Sequence, residues 1–317
     1  MLPRRIYQVY GLRIDSDLPL PAELASGDDP VDLNVRGSGT RPQQGDLPDF
    51  AGPIEWGQTN EGWSLRYVAR SGNVLEFAYS PDASRIEIRH SASGNVDSIG
   101  AMLVGAGLGA ALHLRGIPAV HASALVVAGG AILLAGPSGA GKSTLTAALV
   151  SQGAPLLSED LAVPAFCSGR ILIQAGYPRL RLRPDAAPFV GLTRPDLLPR
   201  VFGPRAVDDK RWIEVSTLPG GFHATPAPLR AIYLLAPRQP DRESLTIESL
   251  PPQRAGLALL EHRYGADWLR MPQANALEWC AQIAGRTPVR MIHAPDGLSH
   301  LSETAAAIMR DCQTANP

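Results

Sequence analysis

The residues of this chain best suited to chemistry lie between Gly136 and Asp160. Gly136-Pro137-Ser138-Gly139-Ala140-Gly141-Lys142-Ser143 is a complete glycine-rich phosphate loop, GxxxxGKS. "AILLA" precedes it and "KSTLTAALVSQG" follows, so the sequence predicts strand, loop and helix in that order, with Gly153 closing the helix. Glycines let successive backbone N–H groups face one anion, and the helix N-terminus adds partial positive charge. Lys142 is placed to reach the terminal phosphates of a nucleotide and Ser143 to hold Mg²⁺, with Thr144 ending the binding stretch. "APLLSED" then reads as a short strand ending in Glu159 and Asp160. On a strand beside the loop, one acid can hold Mg²⁺ and the other can accept a proton from an attacking hydroxyl. Strand alternation points the two to different faces. A solvated strand end is the plainer alternative.

The loop says that a phosphate is held, not what becomes of it. Hydrolysis, transfer to a hydroxyl and sensing all begin with the same geometry. Other residues bear on that choice. His121 precedes "ASALVVAGG" and is either a phosphate-side group, with Ser123 on the same side, or a strand-start histidine with a satisfied ring. In "YPRLRLRPD", Arg179, Arg181 and Arg183 fall on one face of a strand, fit for phosphate or an acidic peptide, or simply solvated. Arg179, nearest the Gly176-Tyr177-Pro178 turn, is the preferred candidate of the three. Lys210 or Arg211 could close over a γ-phosphate, or pair with Asp208 and Asp209 in a surface turn. His223, His262, His293 and His300 show no metal-ligand spacing and read as ordinary histidines.

Elements must position these groups. Residues 1–96 read as a β-rich domain: "RIYQVYGLRI", "VDLNV", "WSLRYVA", "NVLEFAY" and "RIEIRH" alternate or mix β-formers, and residues 37–53 form a turn-rich loop. Residues 97–116 read as one linking helix, with Asp97 or Ser98 as N-cap and Gly116 as stop. Residues 117–317 carry the loop, and their last part reads as a strand ("LRAIYLLAPR"), two helices, a strand ("PVRMIHAP") and a final helix, a cover over the nucleotide domain. The fold class expected is α/β, α+β over the whole chain.

The 317 residues are 45% hydrophobic and 19% charged, enough for about two domains. With 29 basic and 30 acidic residues, bulk binding to nucleic acid or an anionic membrane is not expected. Cys167, Cys280 and Cys312 have neither disulfide nor zinc spacing and suit a reducing cytoplasm. The first residues lack a signal-peptide core, and "IGAMLVGAGLGAAL" is too short for a membrane span. Cytoplasmic localisation is the expectation, and an oligomer is compatible with it.

"HASALVVAGGAILLAGPSGAGKSTLTAALVSQGAPLLSEDLAV" resembles the catalytic core of the HPr serine kinase/phosphorylase family, in particular the HPr-kinase-like proteins encoded beside lasso-peptide-type precursors. In that family a His lies shortly before the loop's strand, where His121 stands, and an acidic pair follows the helix, where Glu159 and Asp160 stand. "YGLRIDSDLPLPAEL", "AGYPRLRLRPD", "DDKRWIEV" and "PLRAIYLLAP" extend the resemblance over most of the chain. It implies a P-loop nucleotide domain related to phosphoenolpyruvate carboxykinase, the use of ATP (or GTP) with Mg²⁺, and a peptide or small-protein substrate bearing an acceptor serine. It also implies that the first acid, Glu159, is the base, leaving Asp160 with Ser143 for the metal. Two departures stand out. The family commonly has Asp-Asp where this chain has Glu159-Asp160, and the EVRG-type segment tied to phosphorolysis is missing, which argues against HPr itself as acceptor. A nucleotide-dependent regulatory or assembly module that phosphorylates nothing is the alternative function.

Overall fold

The computed structural model describes residues 4–38, 54–68, 74–90, 96–201, 209–239, 241–266, 269 and 275–314. The chain forms two compact units, Met1–Ile117 with Pro199–Lys210 and Asp267–Met271, and the remainder. The turn-rich loop expected at 37–53 lies mostly outside the described residues.

The first unit is built on an eight-stranded sheet of β1 (Arg5–Val9), β2 (Leu12–Ser16), β3 (Glu23–Leu24), β4 (Leu33–Ser38), β5 (Ile54–Thr59), β6 (Gly62–Val68), β7 (Val74–Tyr79) and β8 (Arg85–His90), in the order β3-β1-β2-β4-β8-β7-β6-β5. β1 and β2 make a two-residue hairpin at Tyr10 (φ 56°) and Gly11 (φ 79°), the positive-φ pair that matches strand twist. The alternating segments of the sequence became strands as expected. β5, "IEWGQT", is exposed along most of its length and so carries no apolar alternation to read.

The expected helix of residues 97–116 runs as α1 (Val96–Met102), a π turn at Leu103–Gly107 and α2 (Leu108–Leu114). It belongs to the first unit. Its buried residues include Ile99, Leu103, Val104, Leu108 and Leu112, and the Tyr79 hydroxyl donates to the Gly107 carbonyl at 3.0 Å. Gly116, at φ 68°, follows its end.

The second unit is a mixed α/β sandwich. Its sheet holds β9 (Ala122–Val127), β10 (Gly130–Ala135), β11 (Leu156–Ser158), β12 (Pro164–Cys167), β13 (Arg170–Ile173), β16 (Ala227–Leu235), β17 (Thr246–Ser249) and β18 (Val289–His293), while β14 (Arg179–Leu182) and β15 (Arg211–Glu214) pair separately. β10, β16 and β18 run parallel, and β9 lies antiparallel between β10 and β11. Helices are α3 (Lys142–Ser151), α4 (Pro252–Glu261), α5 (Ala276–Ala284) and α6 (Leu301–Thr314).

Strand β10 is buried on both faces, which is why it reads as a continuous apolar run. Ile132 and Leu134 face Leu145 and Leu149 of α3 and Ile308 of α6; Ala131, Leu133 and Ala135 belong to the opposite core, with Leu259 of α4 and Trp279 and Ile283 of α5. The three C-terminal helices, expected as one cover, therefore divide between the two faces of the sheet. Among the described residues, no helix is long and apolar enough to cross a membrane.

Candidate phosphate site and acid pair

Three strand ends meet at one edge of the second unit's sheet. β10 delivers Gly136 at its C-terminal end and β11 delivers Glu159 at its own. β9, being antiparallel, brings the residue before its start, His121, to the same edge. This is the edge at which open α/β sheets bind ligands.

The loop takes the backbone that its glycines permit: φ is 151° at Gly136, 80° at Gly139 and 99° at Gly141. A Cβ on Gly136 would lie 2.9 Å from the Leu235 carbonyl oxygen, so the close approach of β10 to β16 also requires glycine there. Gly141 caps α3, and Lys142 begins it. The Lys142 ammonium is buried and donates to the carbonyls of Gly136 (2.9 Å) and Pro137 (3.2 Å), which stations the cation across the loop. Pro137, Ser138 and Ala140 complete the loop between these points, and Thr144 follows in the first turn of the helix. Glycine backbone, helix N-terminus and an inward ammonium are the donor set that a polyphosphate requires, so the residues present fit a nucleotide's phosphates.

The acids do not alternate. β11 ends at Ser158, and the Leu161 amide donates back to the Glu159 carbonyl at 2.8 Å. Asp160 sits at the centre of this three-residue turn at φ 67°, a conformation that non-glycine residues seldom adopt. The Ser158 hydroxyl ties the turn by donating to the Leu161 carbonyl at 2.6 Å. Both carboxylates consequently converge on Arg181. Its Nε donates to Glu159 at 2.9 Å, and its terminal nitrogen meets Asp160 at 2.7 Å.

Beyond that shared cation the two acids have different surroundings. Glu159 is 1% exposed and accepts from the Ser143 hydroxyl (3.2 Å) and the Tyr177 hydroxyl (3.2 Å). Asp160 is partly exposed, with its other oxygen 3.0 Å from His121 Nε2. An ionised carboxylate only accepts, so Nε2 carries the proton in that bond. Burial opposes charge on Asp160, but Arg181 and His121 outweigh it and hold the carboxyl well below its usual range. Burial likewise opposes the Arg181 charge, and the two carboxylates overcome it, raising that group well above its ordinary value. Burial raises the Tyr177 phenol, so it stays a donor.

His121 is set by backbone. Val120 exchanges hydrogen bonds with Ala162, at 2.8 and 2.9 Å, and the His121 amide donates to the His262 carbonyl at 2.8 Å. Tyr264 stacks edgewise on the His121 ring, with centroids 6.0 Å apart. Burial lowers the His262 imidazole, and the Lys142 charge adds to the effect. Periodicity and spacing give no sign of His262 or Tyr264, because α4 brings them in from far along the chain.

Arg179 stands elsewhere. It pairs with Glu214 across the β14–β15 ribbon and lies 5.8 Å from the Trp212 ring. Arg183 lies beyond β14, exposed, with Asp185. Of the three arginines, the acid pair receives Arg181. Leu180 and Leu182 point into the core, so the single-face reading holds within the strand, but it does not say which arginine is at the right height. Arg211 opens β15 and its guanidinium donates to the Leu198 carbonyl; the Lys210 backbone carbonyl accepts from the Val201 amide, and Asp208 lies outside the described residues. Ser123 is buried in β9.

Among the described residues, no group of three or more His, Cys, Asp or Glu side chains is arranged to hold a metal by itself. Mg²⁺ usually takes one or two carboxylates and completes its shell with phosphates and water. Ser143 and Glu159 supply oxygen donors of the right kind at the loop, and Asp160 stands next to them.

Comparison with protein-family models returns no match, and comparison with curated protein sequences returns none. Among solved structures, the chain is similar to the Hpr(Ser) kinase/phosphatase from Coxiella burnetii, at 15% identity and a TM-score of 0.35, over 62% of this chain and 99% of that one. A likeness at that TM-score assigns neither fold nor activity to this chain.

Proposed function

We propose that this chain is an ATP-dependent, Mg²⁺-assisted kinase that transfers the γ-phosphoryl group to a serine hydroxyl of a peptide or small protein. One observation carries the reading: the acid pair is divided, Glu159 buried against Ser143 and Asp160 facing His121 at the accessible side. In-line phosphoryl transfer needs a group on the metal side and a group on the hydroxyl side, whereas holding a nucleotide needs only the first.

In this proposal the loop amides and Lys142 hold the phosphates, and Ser143 with Glu159 holds the metal. Bound Mg²⁺ supplies charge that neutralises the β- and γ-phosphate oxygens. Asp160 orients the acceptor hydroxyl and takes its proton, and His121 fixes the rotamer of Asp160. Arg181 keeps Asp160 ionised, so the carboxylate is an acceptor at neutral pH. This order reverses the roles that resemblance assigns, because Ser143 bonds Glu159 rather than Asp160. GTP would use the same contacts. A ribosomally made precursor peptide, met in the cytoplasm, is the acceptor that the sequence resemblance suggests.

A nucleotide-binding regulatory module is the second reading, and one observation favours it. Arg181 engages both carboxylates, as a clamp that holds them inactive would. Incubation with ATP, Mg²⁺ and synthetic peptides carrying internal or terminal serines, followed by mass spectrometry, separates the two. Phosphate added to serine supports the kinase. Tight ATP binding with every peptide unmodified, across varied sequences, overturns it in favour of the module.

A further inference from the structure

The two carboxylate oxygens of Glu159 have different surroundings. Oε1 accepts from the Ser143 hydroxyl at 3.2 Å, on the side of the phosphate loop. Oε2 accepts from the Tyr177 hydroxyl at 3.2 Å and from Arg181 Nε at 2.9 Å, on the side of β14. In the proposed kinase Ser143 and Glu159 both serve the metal, so the bond at Oε1 is the one that bound Mg²⁺ replaces. Arg181 divides its charge between Glu159 and Asp160. The Tyr177 hydroxyl is bonded to Glu159, at the oxygen that Ser143 does not use.

We propose that Tyr177 is a positioning residue: its hydroxyl fixes the torsions of Glu159, so that the other oxygen stays presented to Ser143 and the metal. The inference rests on the reading that Glu159 is the metal-side acid. Glutamate has one more rotatable bond than aspartate and is among the side chains that lose most rotamer freedom on burial. A glutamate that serves a metal therefore needs a partner that holds its far oxygen. Metal-binding carboxylates are in general held by such outer partners, and losing one typically costs about 10- to 100-fold in metal affinity.

The fold holds Tyr177 still. The residue lies in the turn between β13 and β14 and is 1% exposed. On one side of it, the Gly176 amide donates to the Leu157 carbonyl at 2.8 Å, which ties the turn to β11, the strand that Glu159 follows. On the other side, the Val215 amide donates to the Pro178 carbonyl at 3.1 Å, which ties it to the end of β15. Trp212 of β15, itself 5% exposed, meets the Tyr177 ring edgewise, with centroids 6.3 Å and planes 75° apart. The phenol cannot swing away without opening this packing. A buried tyrosine also needs an acceptor on its own account, and Glu159 would satisfy that need with no part in metal binding. The two roles differ in what removal of the hydroxyl does to the metal requirement.

The test is a double-mutant cycle on the full chain. Tyr177→Phe keeps the ring and removes the hydroxyl. Glu159→Asp shortens the acid by one methylene and draws its carboxylate back from Tyr177. ATP is titrated calorimetrically at a series of Mg²⁺ concentrations into wild type, both single variants and the double variant, with Tm from circular dichroism as the second readout. Tyr177→Phe is expected to raise the Mg²⁺ concentration at half-maximal ATP affinity by about tenfold. Added to Glu159→Asp, it should change that concentration by less than about twofold, because the bond it removes is already lost. A Mg²⁺ requirement in Tyr177→Phe within about twofold of wild type overturns the proposal even where Tm falls, and so do effects that multiply in the double variant. A Tyr177→Phe chain that does not fold assigns the hydroxyl to stability and overturns it as well. If Glu159→Asp does not fold, the shift in Tyr177→Phe alone decides. Wild type that binds no ATP, or binds it without regard to Mg²⁺, overturns the metal reading of Glu159 and this proposal together.

Discussion

Replacing Arg181 with Met keeps most of the apolar stem and removes the guanidinium that bonds both acids. Removing one partner of a buried ion pair costs about 3–5 kcal/mol, because the remaining charge stays desolvated. Here the partners retain other donors: Ser143 and Tyr177 still serve Glu159, and His121 still serves Asp160. The lower end, about 3 kcal/mol, is therefore expected, or roughly 6–12 °C in Tm for a body of this size. The sign of the pH dependence is fixed as well. In the native chain the Asp160 carboxyl is held below its unfolded value. Its contribution is present above the unfolded pKa and is lost as pH falls through the folded one. Without Arg181, burial dominates and pushes the carboxyl upward, so the penalty is relieved by protonation. The deficit of Arg181→Met relative to wild type should shrink between pH 7 and pH 4. Thermal melts at several pH values, followed by circular dichroism, measure this. Arg179→Met is the control, since its partner Glu214 is half exposed and such pairs are worth about 0–1 kcal/mol. A Tm for Arg181→Met within about 2 °C of wild type, or a deficit that does not shrink on acidification, would refute the claim that this guanidinium holds the acid pair.

Asp160→Asn should cut phosphate transfer by about a hundredfold or more with ATP affinity nearly intact, while Glu159→Gln should raise the Mg²⁺ requirement; kinetics at varied Mg²⁺ check both, and the opposite pattern would restore the first acid as the base. Lys142→Ala should abolish transfer and strongly weaken ATP binding in calorimetry, since the loop loses its inward cation. Gly136→Ala should destabilise by about 1–3 kcal/mol in urea melts, because φ of 151° and the Leu235 carbonyl both oppose a Cβ. Alkylation at pH 8 should label Cys167 alone in the native chain, since burial raises the Cys280 thiol to about 12 and also raises Cys312; mass spectrometry showing Cys280 modified before unfolding would contradict its burial.

What the sequence determined by itself is local. The strand, glycine loop and helix from Ala131 to Gly153 are legible because each depends on neighbours: a buried β run, positive-φ glycines, and a helix stop. The alternating strands of the first unit are legible for the same reason, and β5 is not, because an exposed strand has no face to pattern. The acid pair was visible as chemistry, but its geometry was not. A strand would have separated Glu159 from Asp160; the turn at Asp160 brings them together, and that turn is held by Ser158 and Leu161 within the folded edge. The choice of Arg181 over Arg179 depends on the height at which β14 passes the acids. The arrival of His262 and Tyr264 depends on α4 returning to β9 from more than a hundred residues along the chain. Such placements follow from core packing and long-range pairing. They appear only in the tertiary structure, because no short stretch of sequence encodes the distance between elements that first meet when the sheet is assembled.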